Sequence, residues 1–138
     1  MSERQPQILD IEKVIESKAG DKAKYIHKFL INWFKRFMHL DVINDFLKEG
    51  YVGVEFCEQC IKRLGVEIEV IGLDNLPMDG RKYTFVSNHP LGAIDGVTLG
   101  AIIGRQYAGK VKYLMNDLLM NLKGMAPLGI PINKLGGQ

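Results

Sequence analysis

The stretch TFVSNHPLGAIDG, residues 84–96, decides how the second half of the chain is read. Residues 83–86, Tyr-Thr-Phe-Val, are β-branched or aromatic, as a strand favours, and Ser87 follows them. Asn88, His89 and Pro90 end that run, Gly92 allows a tight change of direction, and Asp95 opens a segment of helical composition. In open α/β sheets reactive groups gather beyond the carboxyl ends of strands, which is where this order places Asn88, His89 and Asp95. A neutral histidine whose ring is held by a carboxylate through one nitrogen presents the other as a base toward a hydroxyl. On a continuous helix residues five or six apart diverge, so the pair can meet only if residues 90–94 form a turn. The competing reading is that Asp95 merely caps the following helix and His89 is a polar strand-end residue.

Working outward, VEIEVIG alternates apolar and acidic residues with period two and predicts a half-buried strand over Val66–Ile71. LDNLPMDGRK reads as a loop with an Asp79-Gly80 turn. After Asp95, GVTLGAIIGRQ reads as a helix, KVKYLM as a strand, NDLLMNLKG as a helix stopped by Gly124, and LGIPINKL as a last short strand. Strands alternating with helices predict an α/β fold: a helical N-terminal region, residues 1–65, followed by a mixed, incomplete sheet with flanking helices in residues 66–138.

The N-terminal region carries a short amphipathic helix over residues 8–18. A second, basic and aromatic helix follows, with Ile26, Phe29 or Leu30, Trp33, Phe37 and Leu40 at helical spacing. Between Lys22 and Leu40 stand five Lys or Arg, two His and no acid. Its apolar stripe either packs on the sheet or lies in a membrane interface with Lys28, Lys35 and Arg36 toward anionic headgroups. Asp41 is an N-cap candidate and Gly50 a stop for the next helix, and residues 54–64 form one more that ends near Gly65. His27 and His39 have no acid at pairing distance in sequence and read as surface residues.

With 138 residues, 46% of them apolar, the chain holds enough for one core. A net charge of +2 gives no global field for nucleic acid. The lone pair Cys57 and Cys60 lacks the second ligand pair a zinc site needs and reads as two reduced thiols on a helix. GRQYAGKV, residues 104–111, imitates a phosphate-binding loop, but Val111 stands where Ser or Thr would hold magnesium, and the context is helix then strand. YLMNDLLMNL could line an acyl-chain groove, though a Leu and Met stripe is more often plain core. The polar N-terminus and the lack of a spanning apolar run predict a cytoplasmic protein whose membrane contact is peripheral.

SNHPLGAIDG, with the strand before it and PLGIPINK downstream, resembles the lysophospholipid and glycerol-3-phosphate acyltransferase family. It is most similar to the bacterial branch that reads His-Pro-x-Gly-x-x-Asp-Gly, and the likeness covers roughly residues 25–134. The resemblance implies His89 as general base and Asp95 as its orienting carboxylate, with Asn88 and Gly92 lining the substrate site and an oxyanion site around Gly92. It implies an acyl carrier protein or coenzyme A thioester as co-substrate, no metal and no other cofactor. The acceptor would be a lysolipid, either 1-acylglycerol-3-phosphate or one with an amino-acid headgroup, met at the inner face of the cytoplasmic membrane.

The chain departs from the family pattern in three ways. Five residues separate His89 from Asp95 where the commoner form has four, which matches the His-Pro branch. Lys134 stands nearest to the phosphate-binding Arg of many members; a lysine meets an anion as a point charge, so a carboxylate is equally served. The Phe-Pro-Glu-Gly type motif of the family does not occur before Gln138, so the chain looks like an N-terminal half with weak activity or none by itself. A non-catalytic membrane-binding or interaction domain, or a thioesterase-like hydrolase using the same dyad on water, are the alternatives.

Overall fold

The computed structural model describes residues 3–20, 25–37 and 39–132. Five helices come first in order, α1 (Ile11–Ala19), α2 (Lys28–Phe37), α3 (Leu40–Lys48), α4 (Gly53–Leu64) and α5 (Ala93–Gln106). Two strands follow, β1 (Tyr113–Asn116) and β2 (Gly129–Ile132). The chain divides into two compact units, residues 1–53 with 112–138, and residues 54–111.

In the first unit the helix expected over 8–18 starts later, because Asp10 caps it. Its Oδ1 accepts the N–H groups of Glu12 (3.0 Å) and Lys13 (3.3 Å), which leaves residues 5–9 outside the helix. Those residues bond to α3 and its end instead. Gln5 N–H reaches the Gly50 carbonyl (2.8 Å), Gln7 N–H the Leu47 carbonyl (3.1 Å), and Asn44 Oδ1 accepts Leu9 N–H (2.7 Å). Gly50, with φ of 76°, ends α3, and a Cβ there would stand 2.8 Å from Pro6 N. Asp41 is not the cap of α3: that place falls to His39, at φ 47°, and Asp41 lies in the first turn, where its charge suits the helix dipole.

The core of this unit is Leu40, Phe46, Leu47, Val52, Met115, Met125 and Leu128, all buried. Of the stripe anticipated on α2, only Leu40, in the next helix, is buried. Phe29 (76%), Leu30 (54%), Trp33 (54%) and Phe37 (66%) are exposed, so among the described residues that face has no sheet against it. β1 and β2 run parallel with Tyr113 opposite Gly129 and Asn116 opposite Ile132. The helix expected between them is a series of 3-10 turns at Asp117–Asn121 and Ala126–Leu128. Parallel pairing demands a crossover, and tight turns return the chain to Gly129 within this short span. At Gly129 a Cβ would collide with Met120 Sδ and stand 3.1 Å from Met115 Sδ, so buried Met115 and half-buried Met120 both pack on the glycine backbone.

In the second unit α4 packs on α5. Gly104 permits this: a Cβ there would lie 2.5 Å from Val54 Cγ2. The segments expected as strands, Val66–Ile71 and residues 83–87, run extended without a ladder among the described residues. Ile71 is 88% and Val86 92% exposed. A strand exists only when its N–H and C=O groups find a partner, and period-two patterning cannot supply one. The fold is α/β with a two-stranded parallel sheet, smaller than the pattern implied.

The imitation of a phosphate loop is the C-terminal cap of α5. Tyr107 N–H returns to the Ile103 carbonyl (3.0 Å) and Gly109 N–H to the Gly104 carbonyl (2.7 Å), with Gly109 at φ 78°. Cys57 and Cys60 are free thiols on α4. Burial first, then the neighbouring Cys60 and Glu58, pushes the Cys57 thiol up to about 12, and burial pushes Cys60 up to about 11.

Two measurements check this packing. Gly104→Val should cost roughly 1–3 kcal/mol in urea unfolding, because Val54 cannot clear the added methyls. Iodoacetamide at pH 8.5 should alkylate both thiols at least about 100-fold faster in denaturant than in the folded chain, the thiolate being suppressed by burial.

Candidate active site

His89 ends the extended run from residue 83, and residues 90–92 make the turn that leads into α5. Gly92, with φ of 63° and ψ of −124°, occupies a conformation that glycine alone adopts cheaply. This left-handed step breaks the helical path from His89 and places Asp95 in the first turn of α5. There the carboxylate reaches back: Asp95 Oδ2 accepts the N–H of Leu91 at 2.7 Å. The Gly92 carbonyl accepts the Asp95 N–H (3.1 Å) in turn, closing the loop from both sides.

The same Asp95 Oδ2 stands 3.6 Å from His89 Nδ1. That separation is an electrostatic contact, longer than a hydrogen bond. The Asp95 side chain is 19% exposed and that of His89 63%. The carboxylate is thus set into the turn while the imidazole faces outward. Asn88 is the residue before the histidine, and its carbonyl accepts the Ser87 hydroxyl at 2.8 Å.

The turn therefore brings His89, Asp95 and Gly92 together, with Asn88 adjoining. Lys134 lies outside the described residues.

Two aromatic residues that the sequence did not single out hold the arms of this turn. The Phe85 and Tyr107 rings stand 5.5 Å apart, joining the extended run to the end of α5. Tyr107 also donates its hydroxyl to the Pro77 carbonyl at 2.7 Å. The signal available in sequence was weak, since an aromatic just past a helix end is ordinary. Asp79 organises the intervening loop. Its Oδ2 accepts from Arg81 Nε (2.6 Å) and the Tyr83 hydroxyl (2.7 Å), and Arg81 stacks over the Tyr83 ring. The hydrogen bonds from Arg81 and then Tyr83 hold the Asp79 carboxyl below the ordinary carboxylate range, and the bond to Asp79 raises the Tyr83 phenol.

The profile of the acyltransferase family matches residues 13–138, and the chain belongs to that family. Among curated relatives it is 55% identical over 133 residues to a lyso-glycine lipid O-acyltransferase of Phocaeicola vulgatus, covering 95% of this chain and 47% of that protein. It is 53% identical over 133 residues to a lyso-glycine lipid O-acyltransferase of Bacteroides thetaiotaomicron, covering 95% of this chain and 48% of that protein. The chain thus spans about half the length of the curated relatives it matches. No solved structure matches it.

The Asp79 cluster yields a pH dependence of defined sign. A carboxyl whose folded pKa is depressed adds stability above its unfolded pKa and loses it as pH falls through the folded value. The 79–83 loop should accordingly loosen in acid, below about pH 4, and again in strong alkali, above about pH 10, as the raised Tyr83 phenol ionises and its hydrogen bond to Asp79 is lost. The Asp79 carboxyl carbon should titrate below an ordinary aspartate by NMR, and Arg81→Ala should return it toward the ordinary range.

Proposed function

We propose that this chain carries the catalytic turn of an O-acyltransferase that moves a fatty acyl group from a thioester to the hydroxyl of a lysolipid. The observation that carries the reading is the shared carboxylate oxygen, Asp95 Oδ2, at 3.6 Å from His89 Nδ1 and 2.7 Å from the Leu91 N. A carboxylate anchored to the backbone on one side and facing an exposed imidazole on the other is what a general base requires. Family membership and the activity of the two relatives support the reaction class, and the same relatives favour a lyso-glycine lipid over 1-acylglycerol-3-phosphate as acceptor.

In this reading Nε2 of His89 takes the proton of the acceptor hydroxyl as its oxygen attacks the thioester carbonyl. Asp95 fixes the ring and compensates the imidazolium charge. Collapse of the tetrahedral adduct forms the ester and breaks the C–S bond, and the imidazolium returns its proton to the departing thiolate. No covalent acyl-enzyme is needed, because the thioester is already activated. Backbone N–H groups around Gly92 are the proposed stabilisers of the oxyanion, and Asn88 and Gly92 line the acceptor side. Lys134 is the proposed partner of the acceptor's anionic headgroup.

The donor is an acyl carrier protein or coenzyme A thioester, and the enzyme works peripherally at the cytoplasmic face of the membrane, where its acceptor resides. No helix among the described residues is long and apolar enough to cross a bilayer.

The test is transfer of a radiolabelled acyl group to lyso-glycine lipid, in the longest form of the protein that contains this chain. His89→Ala and Asp95→Asn should each lower kcat by about 10²–10⁴-fold with folding intact. Transfer that persists in His89→Ala refutes the general base. Release of free fatty acid without any lysolipid makes the same dyad a hydrolase.

A further inference from the structure

His89 hangs from a run that no ladder secures. Among the described residues, 83–87 are extended and exposed. The bonds from Arg81 and Tyr83 to Asp79 stay inside their own loop and stiffen it without attaching it to anything else. What joins the run to α5 is Tyr107, the C-cap residue of that helix, whose N–H returns to the Ile103 carbonyl at 3.0 Å. Its hydroxyl donates to the Pro77 carbonyl at 2.7 Å, and its ring meets that of Phe85 at 5.5 Å and 50°. Gln106 adds a weaker contact, from Nε2 to Met78 Sδ at 3.8 Å. Tyr107 is half-buried between these partners, whereas Phe85 keeps 44% of its surface exposed.

We propose that Tyr107 is a positioning residue for the His89 and Asp95 pair, clamping the run that carries the histidine to the helix that carries the carboxylate. The proposal rests on the general-base reading above and adds the group that keeps the two side chains in register. Asp95 and Tyr107 stand near the two ends of α5, about 18 Å apart along one helix at 1.5 Å per residue. One rigid element therefore places the carboxylate directly and the imidazole through Phe85. The 3.6 Å between Asp95 Oδ2 and His89 Nδ1 is longer than a hydrogen bond, so that contact by itself does not hold the ring. The Leu91 N–H bond to Asp95 anchors the chain after His89, and Tyr107 anchors it before. An exposed imidazole tethered on both sides keeps the alignment that proton transfer needs, and loss of one tether lets it swing. Plain packing of a loop on a helix would use the same contacts, but it would not act through Asp95.

Acyl transfer to lyso-glycine lipid is measured in the longest form of the protein that contains this chain. Tyr107→Leu removes both links and should lower kcat by about 10–100-fold while KM stays within about twofold. Tyr107→Phe keeps the ring, loses only the hydroxyl bond and should lower kcat less. Phe85→Ala removes the ring contact at an exposed position and carries the test if circular dichroism shows Tyr107→Leu unfolded. In an Asp95→Asn background the same substitutions should lower kcat by less than about twofold, because no pair is left to misalign. An unchanged kcat in the folded variants overturns the proposal, and an equal loss in both backgrounds overturns it in favour of plain packing. A second readout uses no acyl donor: the His89 ring resonances in a ¹H–¹³C spectrum should move on Asp95→Asn in the otherwise unaltered protein and stay in place when Tyr107→Leu is already present. A response absent from the unaltered protein, or equal in both, overturns the clamp. Transfer that does not depend on His89 rejects the general-base reading and leaves the resonances to decide the clamp, whereas transfer that needs His89 but not Tyr107 or Phe85 rejects the clamp alone.

Discussion

One carboxylate organises the turn at the end of the extended run. Asp95, in the first turn of α5, accepts the backbone N–H of Leu91 at 2.7 Å, and by doing so it bends the chain back over residues 91–95. The bend is possible because Gly92 takes a positive φ that a side chain would resist. From this single bond follow the position of His89, 3.6 Å from the same oxygen, and its outward exposure. The carboxylate in this place meets both the backbone of the turn and the imidazole. Asp95 is not the cap of α5: that place falls to Gly92, which makes no side-chain cap bond, and the carboxylate in the first turn faces the histidine instead.

The arms of the turn are held by less conspicuous contacts. Phe85 leans on Tyr107, Tyr107 donates to Pro77, and Asp79 gathers Arg81 and Tyr83. These contacts give the run from 77 to 87 a defined path although no ladder pairs it among the described residues. Gly104 plays the corresponding part between α4 and α5, where its missing side chain lets Val54 approach. Small residues on α5 thus serve helix packing at one end and the turn at the other.

Much of this was legible in the sequence wherever the determinant is local. Asp79-Gly80, Gly50, Gly65 and Gly92 marked turns through their tolerance of positive φ, and the structure places each of the four glycines there. The helix from residue 54 and the strands within KVKYLM and LGIPINKL were readable from the sequence, though not their pairing with each other. The failures share one cause, which is that periodicity names a face without naming its neighbour. Val66–Ile71 alternates as a strand should, yet among the described residues nothing pairs with it. The stripe on α2 looked fit for a core or for an interface, while Lys35 on another side of the helix pairs with Glu12 of α1.

The sequence by itself determined the chemistry available at the site: a histidine, a carboxylate five intervening residues later, and a proline and a glycine between them that exclude a continuous helix. It also determined the amphipathic character of α2 and the positions where helices end. Tertiary structure alone decided that Asp95 Oδ2 serves Leu91 and His89 together, that Phe85 meets Tyr107, and that the aromatic side of α2 looks outward. The physical reason is that capping, turn formation and helix periodicity are set by residues a few positions apart. Strand pairing and the burial of a face are set by groups distant in the chain, which no local pattern specifies.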